Sequence, residues 1–567
     1  MFWRTTTSYE FGCFRVDTRE RRLLRDGEVV ALTPKVFDTL LVLVQNSGHI
    51  LSKDEVLKLV WPDSAVEEGS IARNISTLRK ALGGEIPNKH QYVETVPWRG
   101  YRFVADVNEV HNQDAGPLID SIAVLPFINE SGDSTFEYLS DGITESLIGK
   151  LAQFPRLKVM SRNSVFRYKG SEADAQRVAR ELKVRAVLIG RINESDKVLS
   201  ISVELVDGHD GSRFWGAQCG RELNNISSLA AKLAREIAEY LRLNLTVAEK
   251  QHLRRGYTDS GAAYQNYLKG RYYFHKLTPE GVQKGIEYFR RAIEQDVTYS
   301  LAYVGLGDCY TYQAKSTEAS EAFNQALALD QTLGEAHASV GFYKFLYKWE
   351  WQEAEQEFLR AIDLTPNYAE AHHWYAIYLA NMGRHREASL EAQRAKELDP
   401  LSLLMNMTPG LTSYLARRYD DAIEAFQEVL EMEPNFMAAR SMLGHAYEQK
   451  GHYEKALAEY IFLLETFSEN ADVKASVKAL LARSYAARGK RTRAARIVHE
   501  IETEHPATPY LMAQVFGTLG DNKKACACLD NAFEERHLQL VSLKVDPALD
   551  SLRKDSRFTS LLRRMRL

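Results

Sequence analysis

The chain has 567 residues, 45% of them hydrophobic and 26% charged, and a formal net charge of −4. That balance excludes a disordered polymer and a protein that binds polyanions with its whole surface, so any nucleic-acid contact must be a local patch. The length exceeds what a single hydrophobic core serves and implies three or more structural units. Neither a signal peptide nor a run of about 18–20 apolar residues able to span a bilayer is found. The five cysteines (Cys13, Cys219, Cys309, Cys526 and Cys528) are scattered, which suits a reducing cytoplasm better than a disulfide framework. Cys526 and Cys528 have no second ligand pair at metal-binding spacing and read as small core thiols.

Residues 8–105 read as strands, three helices and a closing hairpin. YEFGCFRVDTRERRLLRDGEVVAL alternates apolar and polar positions around the turn pair Asp26-Gly27. Thr33-Pro34 marks a helix start whose apolar stripe is Val36, Phe37, Leu40, Leu41, Leu43 and Val44, closed by Gly48. Ser52 and Glu55 have capping-box spacing for a second helix, which Trp61-Pro62 ends. A third helix is predicted over Glu67–Leu82, with Ile71, Ile75, Leu78 and Leu82 on one buried face. Ser70, Arg73, Thr77 and Lys80 fall opposite, flanked by Asn74 and Ser76. A face with Arg, Asn, Ser, Thr and Lys but no carboxylate can donate to base edges and phosphates. Arg79 lies near the buried side and is expected to clamp the helix to its neighbours. VETVPWRGYRFV then gives two short strands about a tight turn, placing Arg99 and Arg102 near the tip.

The strings LTPKVFDTLLVLVQNSGHILSKDEVLKLVWPD, NISTLRKALGG and YVETVPWRGYRF occur in that order over the first hundred residues. Together they resemble the effector domain of OmpR/PhoB-type response regulators. The resemblance implies a winged helix-turn-helix over 1–107, its third helix in the major groove and its hairpin at the adjacent minor groove. Ser76 and Thr77 stand where many members carry arginines, and Trp98 where small or basic residues are usual, so Arg73 is expected to take a larger share of base preference. Glu67, Glu68, Glu85 and Glu94 keep the module near neutral, which predicts modest non-specific affinity. No receiver domain precedes the module, so aspartate phosphorylation is not the expected input.

Residues 108–119 are polar, with Gly and Pro, and read as a linker. SIAVLPFIN then opens a small α/β domain over 120–250, in which strands alternate with helices up to an amphipathic helix from about Asn225 to Arg242. IAVLPF, EYLSDGITESLI, LKVMSRNSVFRYKG and GSRFWG resemble a TolB-like domain of repeat-containing regulators and some cyclase proteins. Asp141, Thr144 and Glu145 cluster at a helix start, where capping by Ser140 or Asp141 and a favourable dipole position for Glu145 explain them without catalysis. No glycine-rich turn is followed by Lys-Ser or Lys-Thr, so no phosphate loop is assigned.

From 261 to 540 the sequence repeats near a period of about 34 residues, the signature of tetratricopeptide units. Leu306, Gly307, Tyr310, Ala319, Phe323 and Ala326 fit it without a gap; Val340, Gly341, Ala354, Phe358 and Ala361 fit it with one residue inserted. Gly410 with Phe426 and Gly444 with Tyr460 continue the pattern, and about eight units are expected. Most of the aromatics at Tyr272-Tyr273-Phe274, Trp349, Trp351 and Trp374-Tyr375 are read as inter-helix packing, and the adjacent His372 and His373 cannot form a metal pair. Residues 541–567 are read as a cap.

The expected fold class is multidomain α and α+β: a winged helix-turn-helix, a small α/β domain and an α-solenoid. The expected function is a cytoplasmic DNA-binding transcriptional regulator, with double-stranded DNA as one partner and a protein or peptide in the repeat groove as another. A homodimer is compatible with this; a membrane, a cofactor, a metal and an enzymatic activity are not expected. The competing reading is a tetratricopeptide scaffold whose winged helix contacts protein.

Overall fold

The structure, a computed structural model, describes residues 7–18, 21–26, 28–60, 69–83, 92–97, 99–111, 119–170, 174–195, 198–222, 228–241 and 258–567. The expected helix end at Trp61-Pro62, the acidic Glu67, Glu68 and Glu85, Trp98 and most of the expected linker lie outside the described residues. The chain forms two compact units, Met1–Leu118 and Ile119–Leu567.

In the first unit, β1 (Thr7–Phe11), β2 (Phe14–Asp17), β3 (Arg22–Arg25) and β4 (Glu28–Val30) form an antiparallel meander. Three helices follow: α1 (Pro34–Gln45), α2 (Lys53–Val60) and α3 (Gly69–Ala81). The short β5 (Ile50–Leu51) pairs with β7 (Gly100–Phe103), which pairs with β6 (Val93–Val96) in a three-stranded sheet. Pro34 occupies the first turn of α1, where its missing N–H costs nothing, although the Thr33 side chain makes no cap bond. The whole predicted stripe of α1 is buried. Ser52 and Glu55 cap α2 reciprocally: the Ser52 N–H donates to Glu55 Oε2 at 2.8 Å, and the Glu55 N–H to Ser52 Oγ at 3.2 Å.

The stretch read as a linker does not begin as one. Asn108–His111 forms β8, antiparallel to β1 and at the edge of a five-stranded sheet ordered β4-β3-β2-β1-β8. An edge strand is held by backbone hydrogen bonds and favours polar side chains, so it carries little hydrophobic signal.

In the second unit, β9 (Ser121–Val124), β10 (Ile128–Asn129), β11 (Lys158–Val159) and β12 (Ala186–Ser195) pair in parallel; β13 (Val198–Asp207) and β14 (Arg213–Glu222) extend the sheet antiparallel. The helices are α4 (Glu137–Ala152), α5 (Arg162–Phe166), α6 (Ala175–Leu182) and α7 (Leu229–Tyr240). α4 begins earlier than expected, so Ser140 and Asp141 do not cap it. Asp141 instead pairs with Lys169 at 2.6 Å, and Glu145 lies a further turn inside, away from the helix terminus.

Among the described residues, eight helix pairs follow. The first four are α8 (Gly261–Phe274) with α9 (Pro279–Gln295), α10 (Ser300–Tyr312) with α11 (Ser316–Leu329), α12 (Gly334–Tyr343) with α13 (Trp351–Leu364), and α14 (Ala369–Asn381) with α15 (His385–Leu398). The repeat spacing has a direct cause. A Cβ on Gly307 would lie 2.5 Å from the Phe323 ring, one on Gly410 2.6 Å from Phe426, and one on Gly444 2.4 Å from Tyr460. Only a residue without a side chain lets the two helices close over the aromatic. The inserted residue of the third pair is absorbed by a π-turn at Lys344–Lys348, after which Trp349 adopts φ 58°.

The segment after the last pair does more than cap it. Leu549, Leu552, Phe558 and Leu561 are buried, and the Trp351 indole N–H donates to the Met565 carbonyl at 2.8 Å. Two short 3-10 turns and the helix Ser556–Arg564 thus return to the third pair. No helix among the described residues is long and apolar enough to cross a membrane.

The α/β domain and the repeats share one core, which runs without a break from Ile122 to Ala336. Buried polar groups fasten them. The Asn367 amide donates to the carbonyls of Phe154 (2.9 Å) and Leu157 (3.0 Å), and the fully buried Asp399 accepts from Ser164 Oγ (2.5 Å) and Asn163 Nδ2 (3.1 Å). Each group would cost stability if left unpaired, so the two parts hold together only in this register.

Candidate nucleic-acid interface

α3 is placed by its apolar side. Ile71, Ile75, Leu78 and Leu82 are all buried in the core of the first unit. Two polar residues then fix its rotation. The Arg79 guanidinium donates to the Val93 carbonyl through Nε (3.1 Å) and Nη2 (2.9 Å), and to Thr95 Oγ1 (2.8 Å), which ties α3 to β6. The Asn74 amide donates to the Lys35 carbonyl (3.1 Å) and to the buried Thr39 hydroxyl (3.0 Å), which ties α3 to α1.

Arg73, Ser76, Thr77 and Lys80 are exposed, and Ser70 is half-buried beside them. The Thr77 hydroxyl donates back to the Arg73 carbonyl at 3.0 Å, leaving its methyl and an oxygen lone pair outward. No carboxylate occurs between Gly69 and Ala81, so the face carries positive charge and polar groups without negative charge. A single helix of this kind has the diameter that the major groove of B-form DNA admits.

The two wing arginines differ. Arg99 is exposed in the turn between β6 and β7. Arg102 sits on β7, opposite Glu94, and donates to its carboxylate from Nε (3.0 Å) and Nη2 (2.6 Å). The turn itself requires glycine: Gly100 has φ 136°, and a Cβ there would lie 2.0 Å from the Leu51 carbonyl oxygen. Of the eight residues singled out from the sequence, Arg73, Ser76, Thr77, Lys80 and Arg99 therefore point outward. Asn74 spends its amide donors inside the fold, and Arg102 is neutralised in place. Periodicity could not separate Asn74 from its neighbours, because its partners lie on another helix.

The chain is similar to known proteins in each of its parts. Residues 27–103 match the family model "Transcriptional regulatory protein, C terminal". Residues 119–253 match "HilA/YgeH-like transcriptional regulator, second domain", while 301–333, 357–388 and 414–475 match tetratricopeptide models. The transcriptional regulator HilA of Salmonella typhimurium is 24% identical over 420 residues, 72% of this chain and 73% of that protein. A protein named putative adenylate cyclase 3, from Rhizobium meliloti, is 34% identical over 191 residues; the match covers 34% of this chain and spans only 32% of that protein. The transcriptional activator CadC of Escherichia coli is 36% identical over 86 residues, 15% of this chain and 17% of that protein.

Proposed function

We propose that this chain, a winged-helix transcriptional regulator with a C-terminal tetratricopeptide array, reads duplex DNA with Arg73, Ser76, Thr77 and Lys80 of α3 while Arg99 contacts the neighbouring minor groove. The observation that carries the reading is the carboxylate-free exposed face of α3, whose rotation is fixed by Arg79 and Asn74. Arg73 is the base reader and Lys80 a phosphate contact. Ser70 stands at the margin, and Asn74 and Arg102 act by holding α3 and the wing in shape. Input reaches the reader from the second unit, whose α/β domain and repeats share one core and therefore act as one sensing body. A protein or peptide partner at the repeats, a cytoplasmic location and action without catalysis complete the proposal. The TolB-like likeness of the α/β domain is part of it as well.

The test is gel retardation and selection from a random DNA pool with the full chain and two variants. Lys80→Ala should weaken binding to all sequences and lower the salt slope by about 1; Arg73→Ala should cost about 1–3 kcal/mol and relax the preference at one base pair. Parent-like retardation by both variants would favour the scaffold reading instead. Turnover of common nucleotides by the purified chain would overturn the non-catalytic part.

A further inference from the structure

Between the α/β domain and the first helices of the first four repeats lies a cavity of about 120 Å³, lined by residues of α4, α5, α8, α10, α12 and α14. Its charges are unequally matched. Glu145 of α4 takes nearly all the cationic capacity: Arg271 reaches it through Nε at 2.7 Å, Arg162 lies at 3.3 Å, and His275 at 3.1 Å. Burial pushes His275 down to about 4, so it is neutral at pH 7 and adds no positive charge.

Across the cavity stand three more carboxylates on successive repeats: Asp308 of α10, Glu335 of α12 and Glu370 of α14. Asp308 is 3.9 Å from Arg271, a guanidinium already committed to Glu145, and Glu335 and Glu370 form no ion pair among the described residues. The buried Lys150 stands near enough to Glu335 to attract it, and offsets one charge. When all four carboxylates are ionised they exceed Arg162, Arg271 and Lys150 by one negative charge. Burial pushes Asp308 up to about 6 despite Arg271, and burial together with repulsion from Asp399 pushes Glu370 up to about 7.

Two further features belong to a site that takes a guest. Ser161 lines the cavity, is 7% exposed, and its hydroxyl has no hydrogen-bond partner. Tyr368 also lines the cavity, within electrostatic range of both Asp308 and Glu370. Leu268, Leu301 and Val304 supply an apolar remainder.

We propose that this cavity binds a small organic monocation, an ammonium or guanidinium on a short apolar chain, with its charge among Asp308, Glu335 and Glu370. A cavity of 120 Å³ accommodates about five or six non-hydrogen atoms, since one of about 150 Å³ holds the six of benzene. The site goes beyond the DNA-reading proposal and does not rest on it.

The probes are butylammonium, its neutral isostere butanol and its anionic counterpart butyrate, with ethylguanidinium as a second cation. They are titrated into the full chain by calorimetry. Saturable binding of either cation at least tenfold tighter than butanol, with no binding of butyrate, is expected. Glu370→Gln and Glu335→Gln should each weaken the cation at least tenfold, while Glu318→Gln, an exposed position on α11, should leave it unchanged. Glu370→Gln removes a carboxylate that has no ion pair among the described residues, so its unliganded Tm should equal or exceed the parent's, which separates loss of the site from loss of the fold. Absence of binding by both cations, preference for butanol or butyrate, or parent-like affinity in both cavity variants would each overturn the proposal.

Discussion

Replacing Asn74 with Ala separates the face of α3 proposed to read DNA from the face that holds it. The amide makes two hydrogen bonds, to the Lys35 carbonyl and to Thr39 Oγ1. Thr39 is fully buried, and its hydroxyl donates to the Lys35 carbonyl at 2.7 Å, so both acceptors keep one partner after the change. The loss is therefore two net hydrogen bonds at about 0.5–1.5 kcal/mol each, or about 1–3 kcal/mol, without the larger penalty of an orphaned group. In the full chain this appears as amide hydrogen exchange in α1 and α3 faster by about 5- to 150-fold. Sequence preference in a DNA selection should stay that of the parent. Arg73→Ala should do the reverse, with parent-like exchange and altered preference. An Asn74→Ala variant with parent-like exchange and a changed base preference would refute the assignment of Asn74 as a clamp.

Asn367→Ala removes the donor shared by the Phe154 and Leu157 carbonyls; the Phe154 carbonyl keeps the Leu157 N–H at 3.2 Å, and the Leu157 carbonyl, left unsatisfied, costs about 1–3 kcal/mol. Limited proteolysis should cut within 154–170 at much lower protease levels than in the parent. Arg483→Met leaves the buried Glu448, whose oxygen now lies 2.5 Å from the guanidinium, without a counter-charge, and should cost about 3–5 kcal/mol by denaturant unfolding. Adding Glu448→Gln should recover part of that loss. Burial already pushes the Glu448 carboxyl up, so in the single variant its stabilising protonated form is present at low pH and lost as pH rises through the folded pKa; the variant should be weaker at pH 8 than at pH 5. Gly444→Ala places a methyl 2.4 Å from the fully buried Tyr460 ring and should lower stability by about 1–3 kcal/mol, measured as a reduced Tm.

Much of the fold was legible along the chain because its signals are periodic and local. The inward side of α3 follows from Ile71, Ile75, Leu78 and Leu82 at helical spacing, the start of α2 from Ser52 and Glu55, and the helix pairs from the recurring glycine and aromatic. β8 and β14 left no such trace: one is a polar edge strand of the first unit's sheet, and the other carries Gly216 and Gly220 at the edge of the second unit's sheet.

What the amino-acid order determined by itself was which side of each element turns inward and how the units succeed one another. Only the tertiary structure decided what each polar side chain meets. Asn74 finds Thr39 thirty-five positions away, Asn163 finds Asp399 across 236, and Glu145 finds Arg271 on the first repeat. Burial depends on an element's own period, whereas a hydrogen bond or ion pair depends on a partner brought close by packing; for that reason the outward face of α3 could be read in advance, and the shared core with its acid-lined cavity could not.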